Sequence, residues 1–290
     1  MERAYFDMDL IRLSVEDGAV HLDKEFILID NIYRGAKLTN VDTYFVNYPI
    51  KPSFIIVFFC LTGNMRFQIN LQEYELHSND ILVIHNGMIG EYHGMSDNTK
   101  FIVIAFAPEF LQISHQIEAT MSLQRRFYVS PLYHLNEKSA RDFTTIYQLM
   151  KAKIKETDNP FRKGVLLGYM QILIYDAYNY LLKSETDSGK PKEKIGRQQE
   201  LYTQFIKEVQ KNYTKERSIS YYADVLCVTP KYLSQIVHKV SGRFASDWIT
   251  DYVILEAKAL LKSKKYTVQQ IADILNFANQ SFFGKYFKKK

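Results

Sequence analysis

The last seventy or so residues constrain the fold most, because a short pattern occurs there twice. The sequence Ala-Asp-(Val/Ile)-Leu occupies residues 223–226 and again residues 272–275, an offset of 49 residues. The aromatic residue after it recurs at an offset of 50, as Tyr232 and Phe282, so the second turn is one residue longer. Each copy predicts a short helix, a tight turn and a second helix, which together form a helix-turn-helix.

The residue types around each turn support this prediction. Ser218 and Thr267 can cap a helix start through their hydroxyl oxygens, and Gln270 would complete a capping box with Thr267. Cys227 and Asn276 occupy the turn, where a positive φ is often needed; asparagine tolerates it better than cysteine. Two helical hairpins packing a core would be the alternative, but a bundle does not need matched turns.

Residues 245–263 lie between the two copies and predict one long amphipathic helix. Trp248, Tyr252, Leu255 and Ala259 fall on one face, and nineteen residues span about 28 Å. Because B-DNA repeats every ~34 Å, such a helix would hold two recognition helices about one duplex turn apart. One chain could then contact two successive major grooves.

The C-terminal quarter of the chain resembles the DNA-binding domain of the AraC/XylS family of bacterial transcription regulators. The resemblance implies a sequence-specific transcription regulator whose partner is double-stranded DNA, and it leaves RNA polymerase open as a further partner. It rests on a pattern made of the Ala223 helix, Tyr232-Leu233, Gly242, Ala257, Leu260-Leu261, Ile271-Ala272, Phe277, Gln280, Ser281, Phe282-Phe283 and Phe287-Lys288.

The sequence departs from the family pattern in three ways. Val253 stands where the long helix usually carries Arg, and Asn276 stands where the second turn usually has Gly. The family sequence also continues with a final helix, whereas this sequence stops at Lys290. We therefore expect either that the sequence is truncated or that the second unit is less well buttressed than usual.

The resemblance assigns DNA contacts residue by residue. Tyr232, Leu233, Ile236 and Val237 are expected on the buried side of the first recognition helix, and Phe282, Phe283 and Phe287 on that of the second. Gly284 offers no side chain for reading. The residues expected at base edges or at the helix start are Lys231, Ser234, Gln235, Asn279, Gln280, Ser281 and Lys285; those expected at phosphates are His238, Lys239 and Lys288.

The basic charge is concentrated in the segment with the paired motifs. Residues 191–290 contain 18 Lys and Arg against 9 Asp and Glu, a net charge of +9, whereas residues 1–190 carry −4 of the total of +5. A polyanionic partner requires this distribution. Lysine-rich helices with solvated faces would explain a few units of this net charge, but they would not explain why the charge coincides with the paired motifs.

The N-terminal half has a different pattern, with short apolar or alternating runs separated by turns from about residue 26 to 107. Such spacing predicts a β-barrel or jelly roll, and its layout resembles the cupin-like sensor domain of AraC-type regulators. The predicted fold class is α+β, with this barrel and its helices before an all-α double helix-turn-helix domain. A small-molecule effector is expected at an aromatic barrel mouth, for which the candidates are Tyr33, Tyr44, Phe45, Tyr48 and Tyr92.

The histidines of the barrel region argue against a metal-dependent enzyme. His77, His85 and His93 each stand alone, and Glu91 precedes His93 by two residues, whereas metal cupins need clustered histidines with a carboxylate. We therefore expect no metal, no cofactor and no enzymatic activity.

Helical patterns follow at 109–118, 139–155 and 161–182, and the polar stretch 184–197 has no apolar periodicity. The predicted division is a sensor domain at 1–183, a flexible linker at 184–197 and the DNA-binding domain at 198–290. The apolar pattern of the helix pair after the barrel favours two interpretations equally: packing within the chain, and formation of a homodimer.

Two distant cysteines and the absence of a leader or of a long apolar run predict a cytoplasmic protein without membrane contact. Two other functions stay open: a small-molecule-binding or metabolic barrel with a nonspecific nucleic-acid-binding tail, and a protein-interaction module. Strong salt dependence without sequence preference would favour the first of these.

Overall fold

A computed structural model describes residues 6–8, 19–32, 50–70, 72–86, 88–112, 127, 130–187, 197–263 and 265–288. Four of the predicted effector residues, Tyr33, Tyr44, Phe45 and Tyr48, lie outside these residues, as do 188–196 of the predicted linker.

Two β-sheets form the N-terminal half of the described chain. The five-stranded sheet has the order β1-β4-β9-β6-β7 and the six-stranded sheet the order β11-β8-β5-β10-β3-β2. Pairing is antiparallel except between β1 and β4. The strands are β1 (Phe6–Met8), β2 (Val20–Leu22), β3 (Phe26–Asp30), β4 (Ile50–Pro52), β5 (Ile55–Thr62), β6 (Met65–Ile69), β7 (Gln72–Leu76), β8 (Asp80–Ile84), β9 (Gly90–Met95), β10 (Lys100–Phe106) and β11 (Leu132–His134).

Period-two alternation places an apolar core between the two sheets. In β6, Met65, Phe67 and Ile69 are buried while Arg66 between them is exposed. Phe67 packs against Phe58 and Tyr92, with ring centroids 4.8 and 5.4 Å apart. The two packed sheets are the double-sheet arrangement that the strand spacing predicts.

The outer face of the six-stranded sheet is covered by helices, which makes the N-terminal half three layers deep. The helices are α1 (Pro108–Gln112), α2 (Glu137–Ile154) and α3 (Arg162–Asp187). Asn136 caps α2 by accepting from the backbone N–H of Ser139 at 2.9 Å. Helix α3 continues through residues 184–187, which the sequence prediction places in the linker.

A buried polar cluster attaches α2 to the sheet. The Asp30 carboxylate, at the end of β3, accepts from the Tyr147 hydroxyl at 2.6 Å and forms an ion pair with Lys151. It also accepts from the backbone N–H of Ile32 at 3.2 Å. Burial, followed by the hydrogen bond to Asp30, raises the pKa of Tyr147 far above its ordinary value, so the phenol stays a donor.

The described part of the C-terminal domain has six helices: α4 (Arg197–Asn212), α5 (Ile219–Val225), α6 (Pro230–Ser241), α7 (Ala245–Ser263), α8 (Val268–Ile274) and α9 (Gln280–Lys288). Their apolar faces meet in one core, in which Phe205, Tyr222, Leu233 and Phe283 are buried. No helix among the described residues has both the length and the apolar content to cross a bilayer.

The loop between β8 and β9 docks the barrel onto α4. Ile89 is buried within the core of the C-terminal domain. Its backbone is fixed by Asn70, whose side-chain oxygen accepts from the Ile89 N–H at 3.0 Å. At the start of the same loop, burial and then the charge of Lys207 lower the pKa of His85 to about 3. The two domains therefore share packed contacts as well as the linker.

Candidate nucleic-acid interface

The two helix-turn-helix units have matching turns. Cys227 has φ 54° and Asn276 has φ 55°, so the predicted positive φ is confirmed at both positions. In the first turn the N–H of Val228 donates to the Ala223 carbonyl at 2.9 Å; in the second, the N–H of Phe277 donates to the Ala272 carbonyl at 2.8 Å. Both alanines are fully buried, which leaves room for these close backbone contacts.

Side-chain caps define where the helices of each unit begin. Ser218 and Thr267 cap α5 and α8 as predicted, and Gln270 completes the capping box with Thr267. Thr229 caps α6 through the N–H of Tyr232 at 3.2 Å. At the start of α9, Asn279 accepts from the N–H of Phe282 at 3.0 Å. The N-terminal turn of each recognition helix is thus fixed by a polar side chain.

Each recognition helix presents a polar, basic face to solvent. On α6, Ser234 is half-buried, whereas Lys231, Gln235, His238 and Lys239 are exposed. On α9, Gly284 is half-buried, whereas the exposed residues are Asn279 at its cap, Gln280, Ser281, Lys285 and Lys288. All the predicted DNA-contact residues therefore lie on or beside the two recognition helices, and their contacts with bases and phosphates stay a prediction.

The expected burial of two aromatic residues is wrong. Tyr232 is 40% exposed and Phe282 is 59% exposed, although both were expected on the buried side. The cause is helical phase: the buried stripe of α6 comprises Leu233, Ile236 and Val237, and Tyr232 lies about 100° away from its neighbour Leu233. Phe282 precedes the buried Phe283 in the same way.

The connecting helix α7 has the predicted limits, Ala245–Ser263. Trp248, Tyr252 and Leu255 are buried in the domain core as expected. Val253, at the position where the family usually has Arg, is also fully buried. The guanidinium of Arg243 pairs with Asp251 and lies 4.7 Å from the centre of the Trp248 ring, which fixes the end of α6 against α7.

Arg217 links the two units, a role that no sequence motif predicts. Its guanidinium donates to the Leu275 carbonyl at 2.6 Å and to the Asn276 carbonyl at 2.7 Å, and it lies 4.2 Å from the centre of the Phe277 ring. The Asn276 amide in turn donates to the Lys215 carbonyl at 2.9 Å. These contacts buttress the second turn from the segment before α5. The one local sequence feature that marks Arg217 is its position directly before the helix-capping residue Ser218.

His238 has a contact that orients its ring. The imidazole stacks on Phe244, with centroids 4.6 Å apart and planes 7° from parallel. The stacking holds the ring at the C-terminal end of α6, beside Lys239.

The described part of the barrel includes one of the five predicted effector residues. Tyr92 is buried between the sheets against Phe67, and the other four predicted effector residues lie outside the described part. Within the described ranges, no group of three or more His, Cys, Asp or Glu is placed to hold a metal ion. His93 lies 3.6 Å from Glu91, and His77 lies near Glu75 and Asp80.

Comparison with known proteins agrees with this geometry at the C-terminus. Residues 222–290 match a family described as "Helix-turn-helix domain". No protein with a curated description matches the chain. Similar solved structures include ToxT from Vibrio cholerae O395 (16% identity, 84% of this chain and 88% of that chain, TM-score 0.41). They also include unsaturated-fatty-acid-bound ToxT from Vibrio cholerae strain SCE256 (12% identity, 94% of this chain and 92% of that chain, TM-score 0.42). A third is the AraC-like transcriptional activator CuxR (10% identity, 83% of this chain and 74% of that chain, TM-score 0.30).

The matched turns, the caps and the family match define the class of protein. The C-terminal domain is a helix-turn-helix domain of the AraC type, as the sequence resemblance predicted. The chain is a DNA-binding transcription regulator.

Proposed function

We propose that this regulator recognises a specific operator by placing α6 and α9 in two successive major grooves. The observation that carries the proposal is the pair of matching turns, each followed by a capped helix with an open polar face. The net charge of +9 on residues 191–290 supplies the attraction to phosphates.

The exposed side chains have chemistry suited to base edges. A glutamine can pair with adenine and a lysine with guanine in the major groove. Gln235 and Lys231 would take these roles on α6, and Gln280 and Lys285 on α9. The exposed rings of Tyr232 and Phe282 add apolar surface that suits the methyl group of thymine. His238, Lys239 and Lys288 would contact phosphates.

Gln235→Ala is expected to cost about 1–3 kcal/mol on the best operator and to relax the preference at one base pair. Lys239→Ala should instead weaken all sequences about equally and lower the salt slope by about one unit, because a phosphate contact carries no sequence information. Fluorescence anisotropy on operator and random duplexes at several salt concentrations measures both effects.

Gln204→Ala, on the exposed side of α4, is the matched control and should change neither affinity. Equal weakening of operator and random DNA by Gln235→Ala would refute its role as a base reader.

Selection of bound sequences from a random duplex pool tests the proposal as a whole. A short enriched sequence supports an operator-specific regulator, whereas uniform, strongly salt-dependent binding supports the nonspecific tail of the alternative function. Repeating the selection with metabolites tests for an effector. Bound at an operator in the cytoplasm, the chain would act on transcription by contacting or blocking RNA polymerase.

Exposed apolar side chains on the helix layer favour a homodimer. Leu149 on α2, Ile172 and Tyr175 on α3 and Phe161 between the helices are 40–75% exposed. A dimer would present four recognition helices and raise the effective concentration of the second pair. These helices are therefore the proposed dimer surface.

We expect the full chain to bind an operator with two half-sites about tenfold more tightly than residues 197–290 alone. On one half-site the two should bind nearly equally, because both recognition helices lie within the fragment. Binding titrations on the two operators measure the difference, and circular dichroism verifies that the fragment is folded. Equal affinities on the two-site operator would exclude the dimer.

A further inference from the structure

A cavity of about 700 Å³ lies between the six-stranded sheet and the helices α2 and α3. It is separate from the space between the two sheets, which Phe54, Phe67, Tyr92 and Phe101 help to fill. Its volume falls within the range of sites that hold small molecules.

The cavity floor is a continuous apolar surface on three neighbouring strands. Successive side chains of a strand point to opposite faces, so alternate residues of β8, β5 and β10 face the helices. Those residues are Ile81, Val83, Ile55, Val57, Ile104 and Phe106.

The roof is an apolar stripe on α3 together with Phe143 of α2. The stripe contains Met170, Leu173, Ile174 and Ala177, with the spacing i, i+3, i+4, i+7 of one helix face. Ala177 has the smallest side chain of the four, which leaves space between α3 and the sheet. An apolar body of a ligand would meet carbon on both sides.

Among the described residues that line the cavity, negative charge is in excess. Its described anions are Glu137, Asp142 and Asp176, and its described cation is Lys138. Asp142 and Asp176 are exposed, and Arg141 lies 3.5 Å from the Glu137 carboxylate, which partly offsets it. A carboxylate on the ligand would be repelled here, whereas an ammonium or a neutral hydroxyl would not.

We propose that this cavity is the effector site of the regulator and binds an amphiphile with an apolar body and an uncharged or cationic polar end. The proposal rests on the regulatory function proposed above. His85 lines the cavity at the end of β8, and Ile89 of the same loop packs into the core of the DNA-binding domain. A ligand on this floor therefore lies beside the loop that joins the two domains.

Isothermal titration of the full chain with octylamine, octanol and octanoate, in the absence of DNA, tests the ligand class. Octylamine and octanol should each bind saturably, and octanoate should bind about tenfold more weakly than octylamine. No saturable binding of the amine and the alcohol, or octanoate binding as tightly as octylamine, would overturn the proposal.

Two sets of variants test the location. Ala177→Trp should abolish binding of both octylamine and octanol by filling the cavity. Ala152→Trp, the same substitution at an exposed site on α2, should leave both unchanged. The double change Asp142→Asn and Asp176→Asn should weaken octylamine binding severalfold without affecting octanol binding. If Ala177→Trp does not fold, this double variant tests the location of the ligand in its place. Unchanged octylamine binding in that double variant would place the ligand elsewhere.

Titration of the unliganded full chain on its selected operator separates this proposal from the function it rests on. Operator binding without ligand binding refutes the cavity site alone. Ligand binding without any operator preference refutes the regulatory function and leaves the cavity as a binding site.

Discussion

Asp30→Ala is expected to lower the free energy of unfolding of the N-terminal domain by about 3 kcal/mol. The change leaves the Lys151 ammonium and the Tyr147 hydroxyl without the buried carboxylate that they share. An unpaired buried charge and an unsatisfied buried donor both cost free energy. The expected value lies at the lower end of the range for buried pairs, because Lys151 keeps some contact with solvent.

The matched control replaces both charged partners with apolar residues, as Asp30→Leu with Lys151→Met. It should recover part of the lost stability, because no unpaired charge stays behind. Urea unfolding followed by fluorescence gives both values. A loss below about 1 kcal/mol in Asp30→Ala would mean that the cluster is not what attaches α2 to the sheet.

Local chemistry accounts for what the sequence predicted well. The limits of α7 are the predicted ones because Gly242 ends the preceding helix. The burial of α7 is broader than the single apolar face that the sequence predicts, since residues 251–257 are all buried. The two turns were predictable because an N-cap, a small residue and a positive-φ position recur at fixed offsets. Strand β6 shows the strict alternation of apolar and polar residues from which a half-buried strand can be predicted.

Short strands without apolar alternation were missed. The sequence of β9 contains Gly90 and Gly94 with Tyr92 as the one large apolar side chain between them, and it forms a strand because it pairs with β6. Three-residue strands such as β4 and β11 likewise depend on a partner that is distant in sequence. Pairing of this kind is tertiary, and a local pattern does not encode it.

The cavity and the domain contact depend on elements far apart in the chain. The cavity needs three strands and two helices to be in place, so no motif marks it; the sequence prediction therefore sought the effector at barrel aromatics. A flexible linker is predicted at 184–197, whereas Ile89, an apolar residue in a turn-rich loop, makes a packed contact between the domains. From the sequence alone, an apolar residue that packs between domains cannot be distinguished from one that packs in the core of the barrel.

Ile89→Asp is expected to separate the barrel from the DNA-binding domain. Ile89 is 2% exposed and packs in the core of the C-terminal domain. A buried aliphatic side chain contributes about 2–5 kcal/mol relative to a cavity, and a carboxylate in its place would also lose its hydration. The docked arrangement should therefore lose more than about 3 kcal/mol, while each domain retains the rest of its own core.

Calorimetry and hydrogen exchange measure this separation. Thermal unfolding should change from one transition to two, and the amides of α4 should lose protection, whereas Ile89→Val should change neither. Operator affinity should shift less than about threefold, because docking uses α4 and leaves the exposed faces of α6 and α9 open. Retention of a single transition in Ile89→Asp would show that the other contacts, such as that of Lys51 with Tyr213, hold the domains together. A large loss of operator affinity with α6 and α9 still folded would instead show that docking orients the two recognition helices.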